Sequence, residues 1–264
     1  MKMDNKVAVL TGAGNGIGEA LAKRMAAAGA RGVLVSDLNE ADAQRVADEI
    51  VAAGGRAFGM AADVSSEAAI QRLVQEAESR FGPVDLFCSN AGIVDEGGAD
   101  APDSKWERSW KINVMAHVFA TRAVLPGMLA RGSGYLLSTC SAAGLLTSPG
   151  AAPYAVTKHA AIALAEWLAI MHGDAGIKVS VICPQAVRTK LLEHSISSGN
   201  AASDAFAKVG KLMEPDEVAA TVMTGVEKEV FLILPHPEVQ GFVARKASDI
   251  DGWLAGMRRF LAKH

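Results

Sequence analysis

The chain has 264 residues, 50% of them hydrophobic and 21% charged, with a formal net charge of -3. That length suits one large α/β domain with a substantial core, and the near-neutral balance gives no electrostatic footing for nucleic acid or an anionic membrane surface. The three cysteines, Cys88, Cys140 and Cys183, are widely spaced and form no Cys-x-x-Cys, so neither a disulfide framework nor a metal site is indicated and reduced, buried thiols are expected. The first residues lead directly into a strand pattern without an apolar leader, and the most apolar helix is interrupted by Glu166, so the expectation is a soluble, cytoplasmic protein with no membrane span.

Short apolar runs alternate with longer helical patterns. The runs are Val7–Leu10, Val33–Val35, Ala57–Ala62, Val84–Cys88, Tyr135–Leu137, Val179–Cys183 and Val230–Leu234. Between them lie helical segments near Ile17–Ala28, Ala41–Ala53, Ala68–Phe81, Trp106–Ala130, Ala152–His172 and Asp216–Val226. Strands apolar throughout and separated by helices predict a doubly wound α/β fold: a parallel seven-stranded sheet, Rossmann-like, with helices on both faces and ligands outside the carboxyl ends of the strands. With no composition shift, residues 1–264 read as a single dinucleotide-binding and catalytic domain.

The first strand ends in a glycine-rich turn, Thr11-Gly12-Ala13-Gly14-Asn15-Gly16-Ile17-Gly18, that opens a helix. Glycines there allow a tight turn and close approach of a pyrophosphate, whose charge a helix N-terminus favours. The spacing is not the common Gly-x-Gly-x-x-Gly, and any strand-to-helix turn can use glycine. Asp37 ends the second strand 19 residues beyond Gly18, near the offset expected of a ribose-binding acid, and no Arg or Lys stands at Asn15 or Leu38 to offset a 2′-phosphate. NAD is therefore expected over NADP, although Asp37 can equally cap the following helix. Asp63-Val64 and Ser89-Asn90-Ala91-Gly92 close the third and fourth strands, where adenine and the nearer ribose would lie; each is also ordinary turn chemistry. Asn113 is a polar residue within a helical pattern, either exposed or specifically bonded.

Tyr154 and Lys158 lie one helical turn apart on one face, after Ser141. A phenol titrates near pH ~10, and moving it toward ~7 needs about 4 kcal/mol of preference for the phenolate, part of which an adjacent ammonium supplies. Such a pair can move a proton to or from an alcohol or ketone oxygen; an ordinary surface pair has the same spacing.

Taken together, the turn, Asp37, Asp63, Asn90-Ala91-Gly92, Asn113, Ser141, Tyr154-x-x-x-Lys158 and Pro184 to Thr189 resemble the short-chain dehydrogenase/reductase (SDR) family, across essentially the whole chain. The gaps of 13 residues from Ser141 to Tyr154 and 41 from Asn113 to Tyr154 match that family's site. The resemblance implies that Tyr154 is the general acid or base, and that Lys158 lowers its pKa and holds the nicotinamide ribose. It implies that Ser141 bonds the substrate oxygen, that Asn113 fixes a water linking Lys158 to solvent, and that Thr189 bonds the carboxamide. Gly12, Asn15, Gly16, Ile17, Gly18, Leu38, Val64, Pro184 and Val187 complete the expected nicotinamide-nucleotide site. Ser89 replaces a frequent Asn, and Gln185 stands where the family usually has Gly, near the substrate.

Residues 190–213 are expected to cover the substrate, with Leu191, Leu192 and His194 as candidates to face it alongside Ala143, although His194 reads more readily as a surface residue. Residues 237–264 read as a C-terminal amphipathic helix, packed on its own domain, in a subunit interface, or on a membrane surface. The reading is an NAD-dependent alcohol dehydrogenase or ketone reductase for medium-to-bulky, largely apolar secondary alcohols, working as a homo-oligomer, a tetramer or dimer. A dinucleotide-binding sensor without turnover, or an NADP-dependent carbonyl or imine reductase, is the alternative.

Overall fold

The computed structural model describes residues 1–197 and 210–263. Its strands are β1 (Val7–Leu10), β2 (Gly32–Asp37), β3 (Ala57–Ala61), β4 (Leu86–Ser89), β5 (Gly134–Thr139), β6 (Ile177–Ile182) and β7 (Leu232–Ile233). All pair in parallel in one sheet ordered β3-β2-β1-β4-β5-β6-β7. The chain runs outward from β1 to β3 and then crosses back to place β4 beside β1, with Leu10 against Cys88. That reversal opens a crevice at the carboxyl ends of β1 and β4. β1 is buried at every position, as a parallel strand covered on both faces must be.

The helices are α1 (Gly16–Ala27), α2 (Glu40–Ala52), α3 (Glu67–Phe81), α4 (Asp103–Trp110), α5 (Ala116–Arg131), α6 (Ala143–Leu146), α7 (Ala152–His172), α8 (Lys190–Ser197), α9 (Pro215–Glu227), α10 (Glu238–Ser248) and α11 (Ile250–Leu261). α1, α2 and α9 cover one face through Leu21, Met25, Val46 and Val222. α3, α5 and α7 cover the other through Leu73, Val124, Met128 and Leu168. Polar side chains mark the starts: Asn39 accepts from Ala41 N at 3.0 Å before α2, and Ser66 from Ala69 N before α3.

Two expectations need correcting. The long helix near Trp106–Ala130 is interrupted by a π-helical turn, Lys111–Met115, centred on Asn113, whose side chain bonds inward. The combined run Asp103–Arg131 is, by length and composition alone, long and apolar enough to cross a membrane, a test that a buried core helix also passes. Its buried residues pack into the sheet core, Val124 and Met128 among them. The C-terminal stretch is two helices. Asp249 is extended (φ -152°, ψ 88°) and its Oδ1 accepts from Gly252 N at 2.9 Å, ending α10 and capping α11. Between them these two helices bury only Val239, although Phe242 and Trp253 stack with ring centroids 6.5 Å apart.

Candidate active site

The glycine-rich turn is held against the end of β4. Gly12 (φ +59°) and Gly16 (φ +57°) adopt left-handed backbone that favours glycine, and a Cβ at Gly12 would lie 2.7 Å from Ala91 Cα. Asn90 locks this arrangement. Its Nδ2 donates to Thr11 O and Gly12 O (3.1 and 2.9 Å), and its Oδ1 accepts from Thr139 Oγ1 at 3.0 Å, joining β1, β4 and β5. The Asp37 carboxylate accepts from Gly14 N at 2.9 Å and from Asn39 N at 3.2 Å, so it does double as a turn acid. Asp63 is exposed and accepts from Ser65 N at 2.9 Å, while Val64 is buried beside it.

Asn113 is fully buried. Its Oδ1 accepts from Ile93 N, and its Nδ2 donates to Ile93 O and to Thr157 Oγ1, at 3.0, 3.0 and 3.1 Å. Both amide hydrogens are engaged by protein, so a water held by Asn113 would donate to one of its oxygens. The same bonds pin the Ile93 segment to the π turn. A Cβ at Gly92 would stand 3.2 Å from both Asn113 Oδ1 and Lys158 Nζ, so the absence of a side chain there lets the two polar groups approach each other.

Tyr154 and Lys158 sit in the first two turns of α7, which Pro153 helps to start. Lys158 is 3% exposed; its Nζ donates to Thr139 O at 3.0 Å and lies 5.7 Å from the centre of the Tyr154 ring. Ser141 Oγ accepts from Ala143 N at 3.1 Å, and the Ser141 side chain is near enough to the Tyr154 phenol to favour its ionised form slightly. The expected acidity of this phenol is not a property of the protein alone. Burial pushes Tyr154 up to about 12, and the Ser141 side chain opposes this only in part. Burial also holds Lys158 below the usual lysine range, which weakens the charge meant to stabilise the phenolate. The protein thus favours a neutral phenol, the proton-donating form.

Tyr154, Ser141 and Lys158 line a cavity of about 820 Å³, together with Ile17, Asn90, Gly92, Ala143, Pro184, Gln185, Val187, Thr189, Leu191 and Leu192, all singled out from the sequence. Gly12, Asn15, Gly16, Gly18, Asp37, Leu38, Asp63, Val64, Ala91 and Asn113 lie outside that lining. Thr189 Oγ1 donates to Val187 O at 3.2 Å and accepts from Leu192 N at 3.3 Å. Gln185 N donates to His236 Nδ1 at 3.1 Å, while His236 Nε2 donates to Lys211 O at 2.9 Å, which ties the Pro184-Gln185 corner to the return of the chain. Gln185 Oε1 is buried without a partner among the described residues. The side chain of His194 lies outside the described residues. No group of metal-ligating residues occurs among the described residues.

Residues 6–199 match the family model described as short chain dehydrogenase. The chain belongs to the short-chain dehydrogenase family. It is 32% identical to 1-deoxy-11-beta-hydroxypentalenate dehydrogenase of Streptomyces arenae, over 90% of this chain and 85% of that one. It is 34% identical to cyclohexanol dehydrogenase of an Acinetobacter strain, over 84% of this chain and 87% of that one. Among solved structures, a short-chain dehydrogenase/reductase from Burkholderia phymatum in complex with NAD superposes with a TM-score of 0.86 at 30% identity, covering 95% of this chain and 96% of that one.

For a short-chain dehydrogenase, the wall opposite the family's polar residues is the part the sequence reading missed. Phe242, Arg245, Trp253, Met257, Arg259 and Phe260, all from α10 and α11, line the same cavity. Lys246 Nζ donates to Leu145 O at 2.6 Å and fastens α10 beside α6. The C-terminal stretch meets its own chain through this bond and through the cavity wall it contributes. The available signal was Ser248-Asp249 in mid-stripe, a helix stop and N-cap.

Proposed function

We propose that this oxidoreductase is an NAD-dependent secondary-alcohol dehydrogenase, running as a ketone reductase in reverse, for medium-to-bulky, largely apolar substrates. One observation carries the reading: the Tyr154 phenol, its Ser141 partner and the Lys158 ammonium converge on one wall of a large cavity whose other walls include Leu146, Val187, Trp253 and Met257. Cyclohexanol dehydrogenase, named for such an alcohol, supports it.

The residues present fit the cofactor. Asn15 precedes α1 without a side-chain capping bond, leaving the first-turn N–H groups for a pyrophosphate. Asp37 ends β2 with a carboxylate suited to ribose hydroxyls, and Leu38, 75% exposed, offers an apolar surface beside it for adenine. Arg45, a guanidinium close to that turn, is committed to Gly14 O, Glu19 and Glu49. It is therefore not free to balance a 2′-phosphate, which favours NAD over NADP. The neighbouring structure solved with NAD supports the same choice.

NAD supplies the hydride acceptor, and its reduced form the donor. In reduction Tyr154 gives its proton to the ketone oxygen, which Ser141 orients by hydrogen bonding. In oxidation the phenolate takes the carbinol proton. Lys158 holds ribose hydroxyls and keeps positive charge near the phenol, and Asn113 positions the segment against which Lys158 packs. Gln185, Leu191 and Leu192 shape the substrate side. A cytoplasmic, reducing setting belongs to this reading, since all three cysteines are free and buried. So does a homo-oligomer: Trp167, Ile170 and Met171 leave an exposed apolar patch on α7.

The test is a panel of aliphatic, aryl and steroid secondary alcohols with NAD and with NADP, following formation of reduced nicotinamide. Turnover with NAD, absent from Tyr154→Phe, is expected. A preference for NADP, or full activity in the Phe variant, overturns the assignment.

A further inference from the structure

We infer that the substrate carries a carboxylate as well as its carbinol, and that Arg245 and Arg259 receive it on the wall of the cavity built by α10 and α11. The inference rests on the dehydrogenase reading and names the substrate class more closely. The two guanidiniums come from different helices and line the same cavity that Tyr154 and Ser141 line. Among the described residues neither has a hydrogen-bond or ion-pair partner, whereas Arg24, Arg45 and Arg188 are each paired with a carboxylate at 2.8 Å or less. Asp249 is the one acid among the described lining residues, and its Oδ1 is held by Gly252 N as the cap of α11. Lys158, the remaining cation of the lining, is bonded to Thr139 O at the catalytic wall.

A planar guanidinium matches a carboxylate in two parallel hydrogen bonds, and two of them on converging helices leave a net positive wall after Asp249 is counted. Phe242, Trp253, Met257 and Phe260 stand between and beside them. The occupant that satisfies this wall has an apolar body, a secondary alcohol placed at Tyr154, and an acid group directed to α10 and α11. Both arginines are exposed, so their attraction is open to screening by salt.

Cholate, a polycyclic secondary alcohol with a carboxylate, and its methyl ester form a matched probe pair. Titration calorimetry of the full chain with each, at low and high salt, is run on the wild type and on the Arg245→Gln/Arg259→Gln double variant. Turnover of cyclohexanol with NAD is followed in parallel. The acid is expected to bind about tenfold more tightly than the ester, the scale of one charge-assisted hydrogen bond. High salt narrows that preference, and the double variant abolishes it. Equal binding of acid and ester to the wild type, no binding of cholate, or a preference that survives in the double variant overturns the inference. Absence of cyclohexanol turnover in the wild type counts against the dehydrogenase reading instead, while the calorimetry still decides the anion subsite.

Discussion

Two regions face each other across the cavity and are held by different means. Around the glycine-rich turn, backbone meets backbone. A Cβ at Gly12 would lie 2.7 Å from Ala91 Cα, a Cβ at Gly18 would lie 2.5 Å from Asn90 Nδ2, and Asn90 joins three strands through its amide. Across from it, α10 and α11 bury Val239 alone, keep Ile250 and Leu254 about half exposed, and are fastened to α6 by the bond from Lys246 to Leu145 O. The first region leaves almost no room for variation because an added Cβ meets backbone or the Asn90 amide. The second is attached through side chains at the edge of the fold, where a change of sequence alters the cavity wall without disturbing the sheet. The two sides of the cavity thus differ in their tolerance to mutation.

The sharpest way to separate the two is to remove the proton donor. Tyr154→Phe keeps the ring and its packing but loses the hydroxyl beside Ser141. Turnover should fall by roughly 10²- to 10⁴-fold, the usual worth of a positioned acid or base, with NAD affinity nearly unchanged by fluorescence titration. A fall in affinity as large as the fall in rate would mean that the residue binds rather than reacts.

Paired glycine substitutions test the packing difference directly. Gly18→Val has no space, since its Cβ would overlap Asn90 Nδ2 and Gly12 O. It should cost roughly 1 to 3 kcal/mol in urea unfolding and weaken NAD binding. Gly241→Ala in α10 meets nothing within 4 Å. It should stabilise by up to about 1 kcal/mol through helix propensity, with NAD binding untouched. Equal costs at the two sites would erase the contrast.

A third difference is electrostatic. His117, on α5 behind the site, is 3% exposed, contacts Ser138 Oγ at 3.1 Å through Nδ1, and has no partner for Nε2 among the described residues. Burial, with a smaller contribution from the Lys158 charge, pulls it down to about 3. A neutral His in the fold and a titrating one in the unfolded chain means that stability is intact above pH ~6.5 and is lost as pH falls from there toward about 3, by up to roughly 1.4 kcal/mol per pH unit. His117→Gln should flatten the acid limb of a stability-versus-pH curve by about that slope. An unchanged acid limb would show that this histidine is not the group responsible.

How much was legible in the sequence follows the same division. The strands are mostly apolar because parallel strands are covered on both faces, with exceptions such as Lys178 in β6, and the seven apolar runs of the sequence locate all seven strands with ends displaced by a few residues. The glycine-rich turn, Asn90, Ser141, Tyr154 and Lys158 stand out in the sequence only through their joint resemblance to a family, since each spacing alone suits an ordinary turn or surface pair; what positions each is local: one turn, one strand end, one helix. The break at Asp249 was missed because the apolar stripe runs through it, although the residue carried an N-cap signal. The share of Arg245 and Arg259 in the cavity depends on how α10 and α11 fold back over α6, which no local pattern encodes. The upward shift of the Tyr154 pKa was also invisible. Spacing shows that an ammonium is near, but not that burial of both groups outweighs it.

The smallest expected effect tests the fastening of the sparsely buried side of that comparison at a single bond. Lys246→Met keeps the aliphatic stem and removes only the donor to Leu145 O. A bond to a charged donor at a partly buried site contributes on the order of 1 kcal/mol, so α10 should remain folded but less firmly placed. KM for a bulky alcohol that reaches the α10 wall should rise about threefold to fivefold, while kcat stays the same because Tyr154 and Ser141 belong to α7 and the β5–α6 connection. KM for cyclohexanol, which is too small to need that wall, should not move. If both alcohols lose kcat together, the bond supports the catalytic wall through α6, and the two regions are less independent than their packing indicates.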